Sequence, residues 1–265
     1  MKAFFENIGF RTVEKLKDFA DFILFSQRAF FSIICGDFLR RTEKEILEIQ
    51  LYFTSFQLLF SFVLLSLVFG SFFIALVFML VKSYGLVQYL GNIIMGVVVL
   101  ELAPLITVIL LALRSSSAIN SEIAVMRVNR EMDALEAFHI DPMRYLFIPR
   151  IVCFMVSVTI LSAIFAIVVL FSGFLICSMM FGFSGSVYTE LLANSASPAD
   201  LIVFFLKTML FGFFISVIPI YHGWKTPYQL TAIPVSVLRG MMGVFISIIF
   251  VEVLTSALRL LLNSL

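Results

Sequence analysis

Long apolar blocks alternate with short polar segments along the chain. Five blocks carry few or no charged residues, and they run over residues 51–81, 89–113, 151–181, 198–221 and 235–262. Each block is at least as long as the ~20 residues that an α-helix needs to cross a bilayer. Transmembrane β-strands would be only ~10 residues long with alternating polarity, so we expect helices. The pattern predicts an all-α polytopic membrane protein with five transmembrane helices.

Residues 1–45 differ from the rest because charged and apolar positions are mixed. Leu16, Phe19 and Ile23 follow helical spacing, and charged residues occupy the other faces. Such a helix can lie in the membrane interface without crossing it, or it can pack on another subunit. We predict an interfacial amphipathic segment over 1–45, with no cleavable signal peptide, and a five-helix domain over 46–265.

Short motifs predict where several helices begin. Thr42-Glu43-Lys44-Glu45 has the form of a capping box before the first span. Asp141-Pro142 and Ser197-Pro198 each combine an N-cap residue with a proline at the first helical position. Small residues dominate 182–197, which predicts a loop, and the Pro-rich stretch 222–234 predicts a turn.

Composition excludes an ordinary soluble domain, because 62% of residues are hydrophobic and only 13% are charged. No basic run is typical of a nucleic-acid partner. His139, His222 and the three cysteines form no ligand pattern, so we expect no metal site and no catalytic residues. The chain has no G-x-x-x-x-G-K-[ST] phosphate-binding loop, so we expect no cofactor on it.

Basic residues indicate the orientation in the membrane. Eight Lys and Arg residues lie between Lys2 and Lys44, five more lie in the polar connector (residues 114–150), and Lys225 lies in the fourth turn. All three regions fall on the same side of a five-span chain. Because cytoplasmic loops are enriched in Lys and Arg, we predict a cytosolic N-terminus and a periplasmic C-terminus.

The polar connector contains a predicted amphipathic helix at about 121–138. Its apolar stripe recurs at helical spacing through Val125, Val128, Met132 and Leu135. A short helix between two spans needs a cover for such a stripe. That cover is either its own bundle or a groove on a partner, and the residues alone leave both open.

Among the charged residues of the predicted spans, Glu101, Lys207 and Glu252 are the ones whose position needs an explanation. Glu101 lies near the middle of the second span, where an ionised carboxylate costs at least ~2.5 kcal/mol, so it should face a cavity or a partner. It can line a functional pocket or pair within the bundle. Lys207 can extend to the membrane boundary without any function, or it can form a buried charge pair with Glu252.

A set of short motifs holds its spacing over about fifty residues. These motifs are Glu101 with Pro104, Arg114 with Ser117-Ala118, Glu122 with Met126-Arg127, the run Met132 to Glu136, Asp141-Pro142 and Pro149-Arg150. In these motifs the chain resembles the MlaE/YrbE family, the permease subunits of MCE-type ABC lipid transporters, and the resemblance continues more weakly through Lys207, Arg239 and Glu252. The chain departs from the family at Leu100, where an arginine is common, and at Ser115-Ser116, which replace a more Gly-rich pair.

The resemblance implies a homodimer in the bacterial inner membrane that exchanges phospholipid with a periplasmic MCE protein. A cytosolic ABC ATPase dimer would bind ATP and Mg²⁺ and dock on the helix in the polar connector. The implied lipid-pocket residues are Glu101, Leu100, Tyr84 and Leu80, although ordinary packing is an alternative for the last two. The implied ATPase-coupling residues are Glu122, Met126, Arg127, Arg130, Asp133 and Glu136.

Two other function classes compete with a lipid permease. An ion-coupled secondary transporter would use Glu101, Lys207 and Glu252 as a relay, but an odd number of spans without a visible inverted repeat disfavours it. A membrane enzyme acting on lipid head groups would need acid, base or metal-ligating residues at the membrane boundary, and the sequence offers no such cluster.

Overall fold

The computed structural model describes residues 2–35, 57–182, 184–195 and 197–264. Within these ranges there are eight helices of seven or more residues, and two short turns, Met143–Phe147 (π-helical) and Leu230–Ala232 (3₁₀), precede the fifth and the eighth. The eight helices are α1 (Lys2–Ile34), α2 (Gln57–Ser83), α3 (Val87–Val128), α4 (Glu131–Ala137), α5 (Ile148–Phe181), α6 (Gly185–Ser195), α7 (Pro198–Trp224) and α8 (Ile233–Ser264). The helix α3 is a continuous helical run that includes two π-helical stretches, Ile94–Leu102 and Ala112–Ser116.

Five of these helices, α2, α3, α5, α7 and α8, are long and apolar enough to cross a membrane, which confirms the predicted number of spans. The most apolar stretch of α7 is 61% buried, whereas those of α2 and α8 are 28% buried. The helix α7 is therefore the centre of the bundle, and α2 and α8 lie at its edge. We call the end that carries the polar connector the basic end and the other the opposite end.

Two of the predicted helix starts are confirmed by their capping geometry. The Asp141 carboxylate accepts a hydrogen bond from the Met143 amide at 3.0 Å, immediately before the helical run of the third span. The Ser197 hydroxyl accepts one from the Ala199 amide at 3.3 Å, and Pro198 begins α7. The predicted capping box at 42–45 lies outside the described residues.

The loop predicted over 182–197 is wrong, because α6 occupies most of it. Tyr188 is buried at 3% exposure and its hydroxyl donates to the Leu170 carbonyl of α5 at 3.1 Å. Its ring also lies 5.9 Å from that of Phe174. The contacts of Tyr188 thus hold α6 against α5, in a segment whose small residues predict a loop.

The single helix predicted over 121–138 is also wrong, because the chain breaks there. The helix of the second span continues to Val128, Arg130 adopts a left-handed conformation with φ of 60°, and α4 begins at Glu131. The buried positions on the last turns of α3 are Asn120, Ile123 and Ala124, whereas Val125 is 37% exposed. Packing on α7 and α8 decides which face of these turns is buried, and that face is not the predicted stripe. Of the stripe residues only Met132 is fully buried.

The helix α1 packs on the basic end of the bundle. Its Phe25 ring stacks on Trp224 at a centroid distance of 5.7 Å and lies 6.1 Å from Phe147. The Tyr221 hydroxyl donates to the Asp18 carbonyl at 3.0 Å. A helix is therefore present within the N-terminal segment, and its role as an interfacial amphipathic helix stays a prediction.

Two prolines define how α3 and α7 are joined. Pro219 has no N–H to donate to the Ile215 carbonyl one turn earlier, and the Ser116 hydroxyl of α3 donates to that carbonyl at 2.6 Å. Pro104 likewise cannot donate to the Leu100 carbonyl, which accepts from the Lys207 ammonium of α7 at 3.2 Å. Each helix thus supplies a donor for an acceptor that proline frees on the other.

A glycine allows a close contact between α7 and α5. A Cβ atom at Gly212 would overlap the backbone of Met155. The two helices therefore approach closely in the middle of the bundle, which places α7 between α5 and α8.

The contact between Ser116 and Ile215 is testable with a double-mutant cycle. Ser116→Ala should lower the free energy of unfolding by about 1–3 kcal/mol, because a buried carbonyl loses its donor. In a Pro219→Ala background the restored amide can satisfy that carbonyl, so the same substitution should cost less than half as much. Unfolding by denaturant in micelles measures both values. The neighbouring Ser117→Ala is the control, since Ser117 is only half-buried and its hydrogen bonds go to carbonyls of its own helix.

Candidate functional site

A cluster of charged side chains lies between α3, α7 and α8 within the spans. The Lys207 ammonium donates to the Glu252 carboxylate at 2.9 Å and to the Glu101 carboxylate. Lys207 is only 1% exposed, so its side chain does not extend to the membrane boundary. The structure thus brings together Glu101 with the pair Lys207 and Glu252.

The local sequence around Glu101 explains why the ammonium binds there. Leu100 and Glu101 lie in the π-helical stretch Ile94–Leu102, directly before the helical turn that contains Pro104. The carbonyl freed by Pro104 and the Glu101 carboxylate both accept from the same ammonium. A buried lysine therefore finds three oxygen acceptors, which offsets the cost of removing its charge from water.

Two further charged residues extend the cluster toward the opposite end. The Arg259 guanidinium donates to the Asp200 carboxylate at 3.1 Å and to the Gly96 carbonyl at 3.3 Å, and it lies 3.8 Å from Glu101. The sequence reasoning missed both residues, although a signal exists. Asp200 precedes Lys207 by seven positions and Arg259 follows Glu252 by seven, so each pair shares one helix face.

The other residues proposed for a lipid pocket lie in different surroundings. Leu100 is buried at 4% exposure and contributes its carbonyl to the cluster. Leu80 and Tyr84 are 50% and 76% exposed at the end of α2. Tyr84 donates its amide to the Leu80 carbonyl at 3.1 Å. The structure therefore joins Glu101 and Leu100 in one site and leaves Leu80 and Tyr84 at the surface.

At the basic end, the turn between α3 and α4 is fixed by charge contacts. Arg127 donates to Asp133 at 2.8 Å, which links the two helices across the left-handed Arg130. The Tyr228 ring lies 4.7 Å from the Arg127 guanidinium and 5.3 Å from that of Arg130, and its hydroxyl lies 3.2 Å from Asp133. The loop before α8 is thus held by three of the proposed coupling residues.

The remaining proposed coupling residues surround this turn. Glu122 is about half exposed and accepts from the nearly buried Arg150 at 2.6 Å, which joins α3 to the start of α5. Met126 is half-buried against the apolar cluster that contains Phe25 and Met132. Glu136 is exposed on α4. These side chains share one end of the bundle, where Glu122 and Glu136 are both exposed.

A polar junction joins the end of α3 to both α7 and α8. Asn120 donates to the Ser236 carbonyl at 3.3 Å, and the Ser236 hydroxyl lies 3.2 Å from the Asn120 side-chain oxygen and 2.8 Å from the His222 carbonyl. A Cβ atom at Gly240 would overlap the Asn120 amide, so the helices meet closely here. This junction links the last turns of α3 directly to the helix that carries Glu252.

A cavity of about 780 Å³ opens beside α1 at the basic end. Apolar walls from Phe25, Phe147 and Trp224 meet charged side chains that include Arg28 and Lys225. Burial alone would lower the pKa of Lys225, but its hydrogen bonds to two aspartates of α1 and to a tyrosine hydroxyl raise that pKa well above its ordinary value. Lys225 therefore stays charged at neutral pH and anchors α1 electrostatically.

Comparison with known proteins decides the family. The family model described as permease MlaE matches residues 48–258. The chain belongs to the MlaE permease family. The match includes Glu101, Lys207, Glu252 and the whole polar connector, and it ends one residue before Arg259.

Individual relatives agree with this family. A probable ABC transporter permease protein of Rickettsia prowazekii is 32% identical over 124 residues, which cover 47% of this chain and 48% of that protein. A probable ABC transporter permease protein of Synechocystis is 27% identical over 173 residues, covering 64% and 66%. The intermembrane phospholipid transport system permease protein MlaE of Haemophilus influenzae is 27% identical over 136 residues, covering 51% and 52%. The chain thus matches about half to two thirds of the length of these relatives.

In this MlaE-family chain, Lys207 and Lys225 each bind two carboxylates, which allows a matched test of burial. Lys207→Met should lower the free energy of unfolding by about 3–5 kcal/mol, because Glu101 and Glu252 lose their counter-ion inside the bundle. Lys225→Met should cost no more than ~1 kcal/mol, because its pairs with Asp18 and Asp21 are exposed. Unfolding curves in micelles at fixed salt compare the two, and equal costs would contradict the interpretation.

Proposed function

We propose that this chain is the permease subunit of an ABC transporter that moves phospholipid between the bacterial inner membrane and a periplasmic MCE protein, and so supports outer-membrane lipid asymmetry. One observation carries the proposal most directly. A single helix, α3, contains both the intramembrane cluster residue Glu101 and, at its other end, Arg127 of the connector. The proposed position of lipid contact and the proposed position of ATPase contact are thus parts of one helix.

The lipid contact is proposed at the cluster. Glu101 and Glu252 retain 27% and 22% side-chain exposure, so the cluster reaches the surface of this bundle. A second copy of the chain would enclose that surface and form a pocket between two clusters. Charged groups at its wall would bind the head group, and the exposed apolar side chains of α8 would contact acyl chains.

Energy transfer is proposed to follow α3. From Glu101 to Val128 the helix is ~40 Å long at ~1.5 Å per residue. The chain has no nucleotide-binding loop, so ATP and Mg²⁺ would be held by a separate cytosolic ATPase dimer. Movement of the connector would reach the cluster along α3 and, through Asn120 and Ser236, along α8. The π-helical stretches of α3 are places where such a helix can deform.

An ion-coupled secondary transporter remains the second candidate, because five charged side chains lie together between the spans. Purification of the chain under mild conditions distinguishes the two. Co-purification of an ABC ATPase and an MCE protein supports the permease. A chain that purifies alone and shows ion-dependent uptake in vesicles supports the secondary transporter.

Glu136→Lys tests the docking position of the ATPase. Glu136 is exposed on α4, so reversal of its charge should reduce ATPase retention in a pull-down at least tenfold while the membrane-embedded dimer persists. Glu190→Lys, on exposed α6 at the opposite end, is the control and should leave retention unchanged. Equal retention by the two variants would contradict docking at α4.

The orientation is testable by cysteine labelling. In a Cys35→Ser background the two remaining cysteines are buried, so a single new cysteine reports its side of the membrane. An Asn129→Cys variant should react with a membrane-impermeant maleimide only after the inner membrane is opened, and Glu190→Cys should react in cells whose outer membrane alone is permeabilised. The reverse pattern would place the polar connector in the periplasm and would exclude a cytosolic ATPase contact.

A further inference from the structure

The intramembrane cluster contains more acids than bases. Its ionisable members are three carboxyl groups and two cations, namely Glu101, Asp200, Glu252, Lys207 and Arg259. They come from α3, α7 and α8, and no other charged side chain among the described residues forms an ion pair with them. If all five were ionised, the cluster would carry a net charge of −1 inside the spans, where an uncompensated charge is costly.

The contacts of Lys207 and Arg259 show which of the three carboxyl groups has a negative charge that the two cations neutralise least. Arg259 is directed mainly to Asp200 and the Gly96 carbonyl. Lys207 uses its donors on Glu101, Glu252 and the Leu100 carbonyl. The second carboxyl oxygen of Glu252 is buried and has no hydrogen-bond partner among the described residues.

The carboxyl groups of Glu101 and Glu252 both accept from the one Lys207 ammonium, so they lie close to each other. Two ionised carboxylates repel at such a distance, whereas one carboxylate and one carboxylic acid form a stable hydrogen bond. A proton needs no additional space. A larger cation would have to displace the side chains that bury the second oxygen of Glu252.

We propose that the Glu101–Glu252 pair is a binding site for one proton, which resides on the otherwise unpartnered oxygen of Glu252 at neutral pH. With that proton the cluster has two negative and two positive charges and is neutral. Lys207 then neutralises Glu101, and Arg259 neutralises Asp200. The proposal concerns the chain itself and does not depend on the proposed transport of phospholipid.

Proton binding has a defined effect on stability. The folded chain would hold a proton that an ordinary solvated glutamate has already released at neutral pH. Because the folded state then binds more protons than the unfolded state, stability falls as the pH rises from ~4.3, the ordinary pKa of glutamate, through neutral pH. Glu252→Gln keeps a neutral side chain of similar shape, so it should remove this part of the pH dependence of stability.

Infrared spectroscopy of the full chain in phospholipid nanodiscs tests the site. The unmodified chain should show the C=O band of a protonated carboxylic acid at neutral pH, with the frequency shift on transfer to D₂O that identifies such a group. Glu252→Gln should abolish the band. Glu190→Gln, a substitution of an exposed acid outside the cluster, should retain it.

A second variant tests the charge count without changing the proton-binding pair. Asp200→Asn removes one negative charge and frees Arg259 for Glu101, so the band should disappear at neutral pH and return only on acidification. This result remains informative if Glu252→Gln fails to fold. An intact chain without the band at neutral pH, an unchanged band in Asp200→Asn, or loss of the band on adding NaCl at constant pH would each overturn the proposal.

Discussion

Carbonyl groups that proline leaves without an amide donor organise this bundle. In a bilayer every backbone polar group must find a partner inside the protein, so a carbonyl left without an amide donor by proline needs a donor from a neighbouring helix. Pro219 leaves such a carbonyl on α7, which accepts from Ser116, and Pro104 leaves one on α3, which accepts from Lys207. The two contacts fix the axial register of α3 against α7, and the other elements pack around this pair.

The ion cluster follows from that register. With Lys207 held at the Leu100 carbonyl, its ammonium is within reach of Glu101 on the same helix and of Glu252 on α8. The seven-residue spacing on α7 and α8 then places Asp200 beside Arg259 two turns further along. A single backbone acceptor in the membrane thus determines the positions of four charged side chains on two other helices.

The sequence predicts the features that depend on local chemistry. Apolar length predicts the five spans, and the caps at Asp141 and Ser197 form because a side-chain oxygen meets amides of its own helix start. The features that depend on neighbours were not predictable in the same way. A buried tyrosine holds α6 against α5, and packing on α7 and α8 decides which face of residues 117–128 is buried. For Lys207 the sequence leaves open both an extension to the membrane boundary and a pair with Glu252, because its acceptors lie more than forty and more than one hundred positions away in the chain.

The position of Tyr228 has a mechanical consequence. Its ring and hydroxyl are held by side chains on both sides of the break between α3 and α4, while its own loop leads directly into α8. A protein that binds α4 is therefore coupled to the start of α8 as well. The two spans α3 and α8, which both contribute to the cluster, share this one contact. A displacement of α4 would therefore move the basic ends of α3 and α8 together, because Tyr228 connects the two helices there.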